Sequence, residues 1–268
     1  MTASYFDRGT GRIAYDVQGD GPLVLCVPGM GVLRSAFRFT VPALVEAGHR
    51  VATMDLRGHG DSDADFDAYD DPALATDILA LIDHLGGPAL VLGHSMGSAG
   101  AVIAAADRPD RIAGLALLGP FVRDPKSNPA MALAQRLLLT RPWGPAAWVW
   151  FYGTLNAGRK PADFAADTGR IRQSLRRADH WRSFVRTTRT SHAPAEGRLA
   201  AVRAPALVLM GEQDPDFPDP TAEGRWIADR LRGELLPVPE AGHYPMSQRP
   251  DLVNPALVQF AGRIFTRA

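Results

Sequence analysis

The sequence predicts an α/β protein in which a mostly parallel, doubly wound sheet of about eight strands carries an inserted helical cap. Short runs of Val, Leu, Ile and Ala recur along the chain and are apolar throughout, which is typical of parallel strands buried on both faces. Stretches with helical periodicity lie between them, so strand and helix alternate. The alternation breaks between Leu118 and Pro205, where roughly eighty residues have helix-like patterns and no convincing strand. This interruption is the predicted cap.

The predicted strands follow from these runs. The stretch GRIAYDVQGDGP alternates polar and apolar residues and ends in turn residues, as an antiparallel strand at the edge of a sheet does. The parallel strands are predicted at Leu23 to Val27, Arg50 to Met54, Ala89 to Leu92, Gly114 to Leu118, Ala206 to Met210 and Glu234 to Val238.

The helices that alternate with these strands are predicted from their apolar periodicity. They lie at Ser35 to Ala47, Pro72 to Leu85, Met96 to Asp107, Thr221 to Leu231 and Asp251 to Phe265.

A length of 268 residues is common for one α/β domain with an insertion. We therefore predict a core formed by residues 1–120 and 200–268 and a cap formed by residues 121–199. The cap holds the aromatic stretch RPWGPAAWVWFYG, followed by a helix-like stretch in which arginines form a solvated basic face. The aromatic residues either pack within the cap or line a pocket. Trp148, Trp150 and Tyr152 are the candidates for contact with an acyl substrate.

Composition excludes several classes of protein. The 29 basic and 29 acidic side chains balance, so no overall positive field attracts nucleic acid. Cys26 is the only cysteine, so it forms no intrachain disulfide and no multi-cysteine metal site, and it is expected in the core. We predict neither a secretion signal nor a membrane span, no contact with a membrane, and a cytoplasmic protein. The oligomeric state stays open.

One serine has an unusual setting, in the stretch VLGHSMGSAG. Ser95 follows an apolar strand, opens a small-residue helix and is flanked by Gly93 and Gly97. A sharp turn at a strand end exposes a hydroxyl for nucleophilic attack, and it needs glycines where strand and helix approach closely. A Gly-x-Ser-x-Gly motif in this context predicts a serine nucleophile, with His94 as a hydrogen-bonding residue inside the turn.

Together with other motifs in chain order, this turn resembles the α/β-hydrolase superfamily. PGMG follows the strand Leu23 to Val27, where that family places its oxyanion loop, with Pro28 in place of the usual histidine. The resemblance implies that the backbone N–H groups of Met30 and Met96 form the oxyanion hole. MDLRGHGDSD also resembles a loop of the family, and we interpret its His59 as a residue that fixes the loop.

The same resemblance assigns the other two members of a catalytic triad. GEQDPDFPDP follows the strand Ala206 to Met210 and places the acid at Asp214, while PEAGHYPMSQRP follows the last strand and places the base at His243. The order Ser, Asp, His is the order of this fold. Asp216 and Asp219 are close enough in the chain to compete as the acid. Asp124 is the more serious competitor, because it follows the strand that precedes the cap.

The resemblance implies a serine hydrolase of the esterase or lactonase kind, acting on a small or medium apolar acyl substrate without a cofactor. The sequence has no metal-binding or dinucleotide-binding motif. A serine nucleophile excludes the aspartate-dependent dehalogenases and epoxide hydrolases. The triad does not separate esterases from cofactor-free haloperoxidases, carbon–carbon bond hydrolases or lyases. A ligand receptor of the same fold with very slow turnover is the alternative from another class. Of the remaining histidines, His49, His84, His180 and His192 are predicted to lie on the surface.

Overall fold

The computed structural model describes residues 3–124 and 137–266, and within them one eight-stranded sheet forms the centre of the fold. The order of strands across the sheet is β1-β2-β4-β3-β5-β6-β7-β8. Their bounds are β1 Ser4–Asp7, β2 Arg12–Gln18, β3 Leu23–Val27, β4 Arg50–Met54, β5 Ala89–His94, β6 Ile112–Leu118, β7 Ala206–Gly211 and β8 Glu234–Val238.

Six of these strands, from β4 across the sheet to β8, run parallel, and β1 and β2 are antiparallel to their neighbours. The predicted parallel strands are present in each case. The prediction that the GRIAYDVQ strand lies at the sheet edge is wrong, because β1 pairs with its outer side and takes the edge position. With four residues, of which only Phe6 is buried, β1 is too short and too polar to show a strand pattern in the sequence.

Helices cover both faces of the sheet, as a doubly wound fold requires. Those between the core strands and at the end of the chain are α1 Thr40–Glu46, α2 Asp71–Leu85, α3 Met96–Asp107, α8 Pro220–Leu231, α9 Pro245–Gln248 and α10 Pro250–Thr266. The α2, α3 and α8 helices contribute to one buried apolar cluster, and α1 and α10 contribute to the other.

The first predicted helix is divided in the structure. A 3₁₀ helix covers Arg34–Phe37, and α1 begins only at Thr40. Pro42 explains the division, because a proline has no N–H for a helical hydrogen bond and is tolerated only in the first turn.

The chain between β6 and β7 carries helices α4 Gly144–Leu155, α5 Phe164–Arg176, α6 Ala178–Thr187 and α7 Ala193–Glu196. We refer to residues 121–199 as the insertion. It is fastened to the core by polar contacts. The Arg38 side chain forms hydrogen bonds of 2.7 and 2.6 Å to the two oxygens of Asp163, and the Ser183 hydroxyl donates to the Ala64 carbonyl at 3.2 Å.

The end of α4 also holds the loop that follows β8. The His243 N–H donates to the Leu155 carbonyl at 2.8 Å, and the Gln248 side-chain amide donates to the carbonyls of Ala157 and Arg159 at 2.7 and 2.9 Å. A side chain at Gly242 would collide with the Leu155 carbonyl, since an added Cβ would lie 2.4 Å from its oxygen. The insertion therefore helps to fix the position of His243.

Candidate active site

The residues predicted to act in catalysis follow the carboxyl ends of parallel strands. The loop of Met30 follows β3, Ser95 follows β5, Asp214 follows β7 and His243 follows β8. In an open parallel sheet the carboxyl ends meet along one edge, where ligands bind. The topology thus brings together side chains that are far apart in the sequence.

Ser95 occupies a strained turn between β5 and α3. Its φ is 52° and its ψ is −123°, a left-handed conformation that L-residues rarely adopt outside functional sites. The flanking glycines permit the turn, because an added Cβ would lie 2.6 Å from the Gly97 carbonyl oxygen at Gly93 and 2.4 Å from the Val27 carbonyl oxygen at Gly97. The Ser95 side chain lies at the carboxyl ends of the parallel strands, and the residue is only 6% exposed.

His94 connects the elements on either side of Ser95. Its Nδ1 accepts a hydrogen bond from the Gly29 N–H at 3.2 Å, and its Nε2 lies 3.0 Å from the His243 carbonyl oxygen. A carbonyl only accepts, so Nε2 carries the proton and the ring is neutral. Burial and the neighbouring His243 lower the pKa of His94 well below its ordinary value, which keeps the ring in this state. His94 thereby fixes the PGMG loop and the His243 loop relative to each other.

His243 is paired with two carboxylates. Its Nδ1 lies 2.7 Å from Asp214 Oδ2 and 3.7 Å from Asp216 Oδ2. Burial by itself lowers the pKa of His243, but the charge and hydrogen bond of Asp214 and the charge of Asp216 outweigh burial, so the pKa is raised. Asp214 is the hydrogen-bonded partner. Asp216 is partly exposed and contributes only its charge.

The other two carboxylates that could compete as the acid lie elsewhere. Asp124 accepts hydrogen bonds from the Ser191 hydroxyl and the His192 N–H, both at 2.6 Å. Asp219 is the N-cap of α8 and accepts from the Ala222 N–H at 2.9 Å. Each of these carboxylates is therefore engaged in a local structural role, and only Asp214 is hydrogen-bonded to His243 among the four candidates.

Two segments that carry the predicted oxyanion donors, α3 and the loop of Met30, adjoin Ser95. Met96 is the first residue of α3, and the N–H groups of a first helical turn have no partner within the helix. The loop of Met30 lies close to the serine, because an added Cβ at Gly29 would lie 2.6 Å from Ser95 Cβ and 3.1 Å from its Oγ. A bound carbonyl oxygen could accept from both N–H groups, which would stabilise an oxyanion.

His59 and Trp148 hold Gly31, the last residue of the PGMG loop. The Gly31 N–H donates to His59 Nε2 at 3.0 Å, and the opposite ring nitrogen of His59 lies 2.9 Å from the Arg57 carbonyl oxygen. Burial lowers the pKa of His59 to about 4, so the ring is neutral and can accept this bond. Trp148 Nε1 donates to the Gly31 carbonyl at 3.1 Å from the insertion.

The three aromatic candidates for substrate contact lie in different environments in the structure. Trp148 lies against Gly31, while Tyr152 is 2% exposed and donates to Asp167 at 2.8 Å within the insertion. The prediction that Trp150 lines a pocket is wrong, because the residue is 68% exposed. Trp148 and Trp150 are two residues apart on α4, so they face different sides of the helix.

This difference predicts contrasting effects of two tryptophan substitutions. If the Trp148 ring forms part of the acyl pocket, Trp148→Ala should change the relative kcat/KM for acetyl, butyryl and octanoyl esters by an amount equivalent to about 1 to 3 kcal/mol for each methylene group that the ring normally covers. Trp150→Ala is the matched control and should leave the preference unchanged. A lower thermal midpoint together with equal depression of all three esters in Trp148→Ala would mean that Trp148 only packs the insertion.

The raised pKa of His243 predicts the pH dependence of catalysis. The base must be neutral to accept a proton, so kcat/KM should rise with pH through an ionisation above the ordinary value of 6.5. Asp216→Asn removes a negative charge 3.7 Å from Nδ1, which disfavours the imidazolium and should move this rise to lower pH. Asp219→Asn retains a capping side chain and is the control. A rise that does not move in Asp216→Asn would contradict the assigned electrostatics.

Several residues near the site were not predicted from the sequence. The Phe121 N–H donates to the Ser95 carbonyl at 3.3 Å. The Phe121 ring packs edge-on against His243 and at a tilt against Phe217. His192, predicted on the surface, is buried and hydrogen-bonded to Asp71. His49 and His180 are also buried, so the surface prediction is wrong for these three histidines, whereas His84 is exposed as predicted. No sequence signal marks these side chains, because their neighbours come from distant parts of the chain.

Asp214, Asp216 and His243 also offer the ligand atoms that a metal ion would need, all within 4.8 Å of one another. The 2.7 Å contact between His243 Nδ1 and Asp214 Oδ2 is a hydrogen-bond length, and an ion bound there would displace the shared proton. The geometry fits a hydrogen-bonded catalytic pair better than a metal centre.

Among the helices that the structure describes, none has the length and apolar character to cross a membrane.

Comparisons with known proteins agree on the family to which this chain belongs. A model described as the Alpha/beta hydrolase family matches residues 24–256. A 2-hydroxy-6-oxononadienedioate/2-hydroxy-6-oxononatrienedioate hydrolase of Burkholderia vietnamiensis is 29% identical over 98% of this chain and 92% of its own. A 2-(acetamidomethylene)succinate hydrolase of Mesorhizobium japonicum is 28% identical over 93% of this chain and 92% of its own. The structure of a thermophilic esterase from Thermogutta terrifontis is similar with a TM-score of 0.79 at 25% identity, covering 98% of this chain and 99% of that one.

Proposed function

Because the chain belongs to the alpha/beta hydrolase family, we propose that it is a serine hydrolase that cleaves an ester, lactone or related acyl bond of a small to medium substrate. The proposal rests on the arrangement of the Ser95 turn and the His243 loop. Ser95 lies in a strained turn beside the loop of His243, to which it is connected through His94 and Phe121, and His243 is in turn hydrogen-bonded to Asp214.

The chemistry follows from the roles that these side chains can take. Ser95 Oγ attacks the acyl carbon while His243 Nε2 accepts its proton, and Asp214 holds the imidazole in the required tautomer and stabilises its charged form. The N–H groups of Met30 and Met96 receive the negative charge that develops on the carbonyl oxygen. His243 then protonates the leaving group, and water releases the acyl group from Ser95.

The experiment that tests this proposal is hydrolysis of a panel of acyl esters together with mass spectrometry of the peptide that contains Ser95. We expect turnover and a transient mass increase on Ser95 equal to the acyl group less the hydroxyl hydrogen that it replaces. Very slow turnover combined with tight ligand binding would instead support a receptor of the same fold. Turnover without a serine adduct in rapidly quenched samples would contradict the covalent route.

A carbon–carbon bond hydrolase is the second candidate, and the similarity to the Burkholderia vietnamiensis enzyme supports it. The same serine, histidine and oxyanion donors would serve a substrate whose leaving group is a carbon atom. Relative kcat/KM for a vinylogous 1,5-diketone and for an ester of equal size separates the two candidates, since an esterase should strongly prefer the ester.

A further inference from the structure

The insertion is bonded to the loop that holds the predicted oxyanion donor Met30. Trp148, in α4, donates its indole N–H to the Gly31 carbonyl at 3.1 Å. The indole also packs directly on the loop backbone, because an added Cβ at Gly31 would lie 2.4 Å from two of its carbon atoms. Gly31 follows Met30 in the chain. A side chain of the insertion therefore contacts the backbone immediately next to the predicted donor.

Met30 lies between two glycines, so the chain on either side of it has little local restraint. Glycine has no Cβ and adopts a wider range of backbone angles than other residues. Gly31 has a φ of 72°, in the left-handed region. A substrate oxygen can accept from the Met30 N–H only if this group points toward it. The direction of the donor therefore depends on contacts from outside the loop.

Hydrogen bonds from outside the loop hold the residues before and after Met30. The Gly29 N–H donates to His94 Nδ1 at 3.2 Å, and the Gly31 N–H donates to His59 Nε2 at 3.0 Å. Because a peptide group is planar, the bond of the Gly31 N–H also fixes the direction of the Met30 carbonyl. The indole bond to the Gly31 carbonyl then fixes the next peptide group. The backbone of Met30 is thus restrained from both sides.

One buried ring of the insertion supports both partners of Gly31. Phe184, in α6, is fully buried, and the centroid of its ring lies 4.6 Å from that of Trp148 and 6.2 Å from that of His59. In a close-packed interior a shift of one such ring is transmitted to its neighbours. The docking of the insertion therefore affects both groups that hold Gly31.

The core by itself supplies only part of this restraint. His94 and His59 bind N–H groups, whereas the Gly31 carbonyl accepts from Trp148. Gly31 is buried, so loss of the indole N–H would leave its carbonyl without a partner away from water. A glycine peptide can rotate to relieve that cost, and the rotation would change the path of the chain beside Met30.

We infer that Trp148 is a positioning residue of the oxyanion hole, whose indole N–H acts through the Gly31 carbonyl to orient the Met30 N–H toward the substrate. The oxyanion hole is then complete only while the insertion is docked on the core. The inference rests on the proposed function. It gives the insertion a part in stabilising the transition state, separate from the choice of substrate.

This role has a distinct kinetic consequence. Negative charge develops on the substrate oxygen in the transition state, so a misdirected donor lowers kcat more than it raises KM. Formation and hydrolysis of the acyl-enzyme both pass through an oxyanion, so kcat falls whichever step is slower. The reacting carbonyl is common to all acyl esters, and the loss is therefore independent of acyl length. A residue that only lines the acyl pocket would instead change the preference among esters.

Trp148→Phe tests the inference, because it keeps an aromatic ring and removes the indole N–H. We expect kcat for acetyl, butyryl and octanoyl esters to fall about tenfold in each case with little change in KM, the effect of losing one hydrogen bond of ordinary strength. Trp181→Phe is the matched control. Trp181 packs against the same Phe184 ring at 5.1 Å, and the bond to Gly31 comes from Trp148 instead. Equal losses of kcat in both variants would mean that Trp148 only packs the insertion.

A trifluoromethyl ketone measures the oxyanion hole more directly. Ser95 Oγ adds to its carbonyl carbon while His243 takes the hydroxyl proton, and the ketone oxygen becomes an oxyanion in the hole. Trp148→Phe should raise the inhibition constant of 1,1,1-trifluorooctan-2-one about tenfold and change that of octan-2-one much less. An unchanged inhibition constant for the trifluoromethyl ketone would overturn the inference.

Amide hydrogen exchange decides independently of turnover whether Trp148 holds the loop. Exchange at the Met30 and Gly31 amides, measured by mass spectrometry with fragmentation, should be faster in Trp148→Phe than in the wild-type protein and in Trp181→Phe. Absence of ester hydrolysis by the wild-type protein would reject the proposed function, and the exchange rates would still report on Trp148. Equal exchange in all three proteins would show that the indole bond does not restrain the loop, and the inference would be wrong.

Discussion

Ser95→Ala should lower kcat for a good ester substrate by about 10⁶-fold, and His243→Ala should lower it by a similar factor. Each substitution disables the covalent route, because the nucleophile and its base act as a unit. The rate that remains would come from the oxyanion donors and from substrate binding alone. Steady-state kinetics with purified variants, checked for wild-type contamination, measures the loss.

Ser98→Ala is the matched control for Ser95→Ala. Ser98 lies on the same turn and is fully buried, but its hydroxyl donates to the Gly93 carbonyl at 2.8 Å and does not face the site. Removing this hydroxyl should cost about 1 kcal/mol of stability and change kcat by only a small factor. Near-normal turnover by folded Ser95→Ala protein would disprove the serine mechanism.

Asp214→Asn should lower kcat by about 10⁴-fold, since an amide at this position would hold the imidazole in the wrong tautomer. The effect depends on the 2.7 Å contact with His243 Nδ1. Asp216→Asn and Asp124→Asn should have much smaller effects on kcat, compared at the high-pH plateau of each variant, because Asp216 contributes only its charge and Asp124 accepts hydrogen bonds from Ser191 and His192. A larger loss in Asp124→Asn than in Asp214→Asn would mean that the acid is wrongly assigned.

The turn around Ser95 shows how a local sequence can determine a local geometry. The two glycines of the motif are required by backbone contacts of 2.6 and 2.4 Å that any Cβ would make, so the pattern itself reveals the sharp turn. The strain at Ser95 is tolerated because the sheet on one side and α3 on the other hold both ends of the turn. Such constraints act over a few residues and can therefore be inferred from the sequence.

The insertion shows the opposite case. Its helix-like patterns are evident in the sequence, but the two tryptophans of α4 have the same chemical character and differ only in direction. Trp148 donates to Gly31, and Trp150 is exposed. Which face of a helix packs against the core depends on how the helix docks, and a single sequence with apolar residues on several faces does not define that docking.

From the amino-acid sequence alone we could predict the α/β class, the parallel strands, the turn of Ser95 and the chain order of the serine, acid and base candidates. These features depend on apolar periodicity and on short motifs, which act over a few residues. Only the folded chain shows the edge position of β1, the approach of Asp216 to His243 beside the predicted Asp214, and the burial of His192 against Asp71. These contacts join residues between 27 and 121 positions apart or depend on which strand takes an edge. Only the folding of the sheet and the docking of the insertion bring such groups within hydrogen-bond distance, so no local pattern could reveal them.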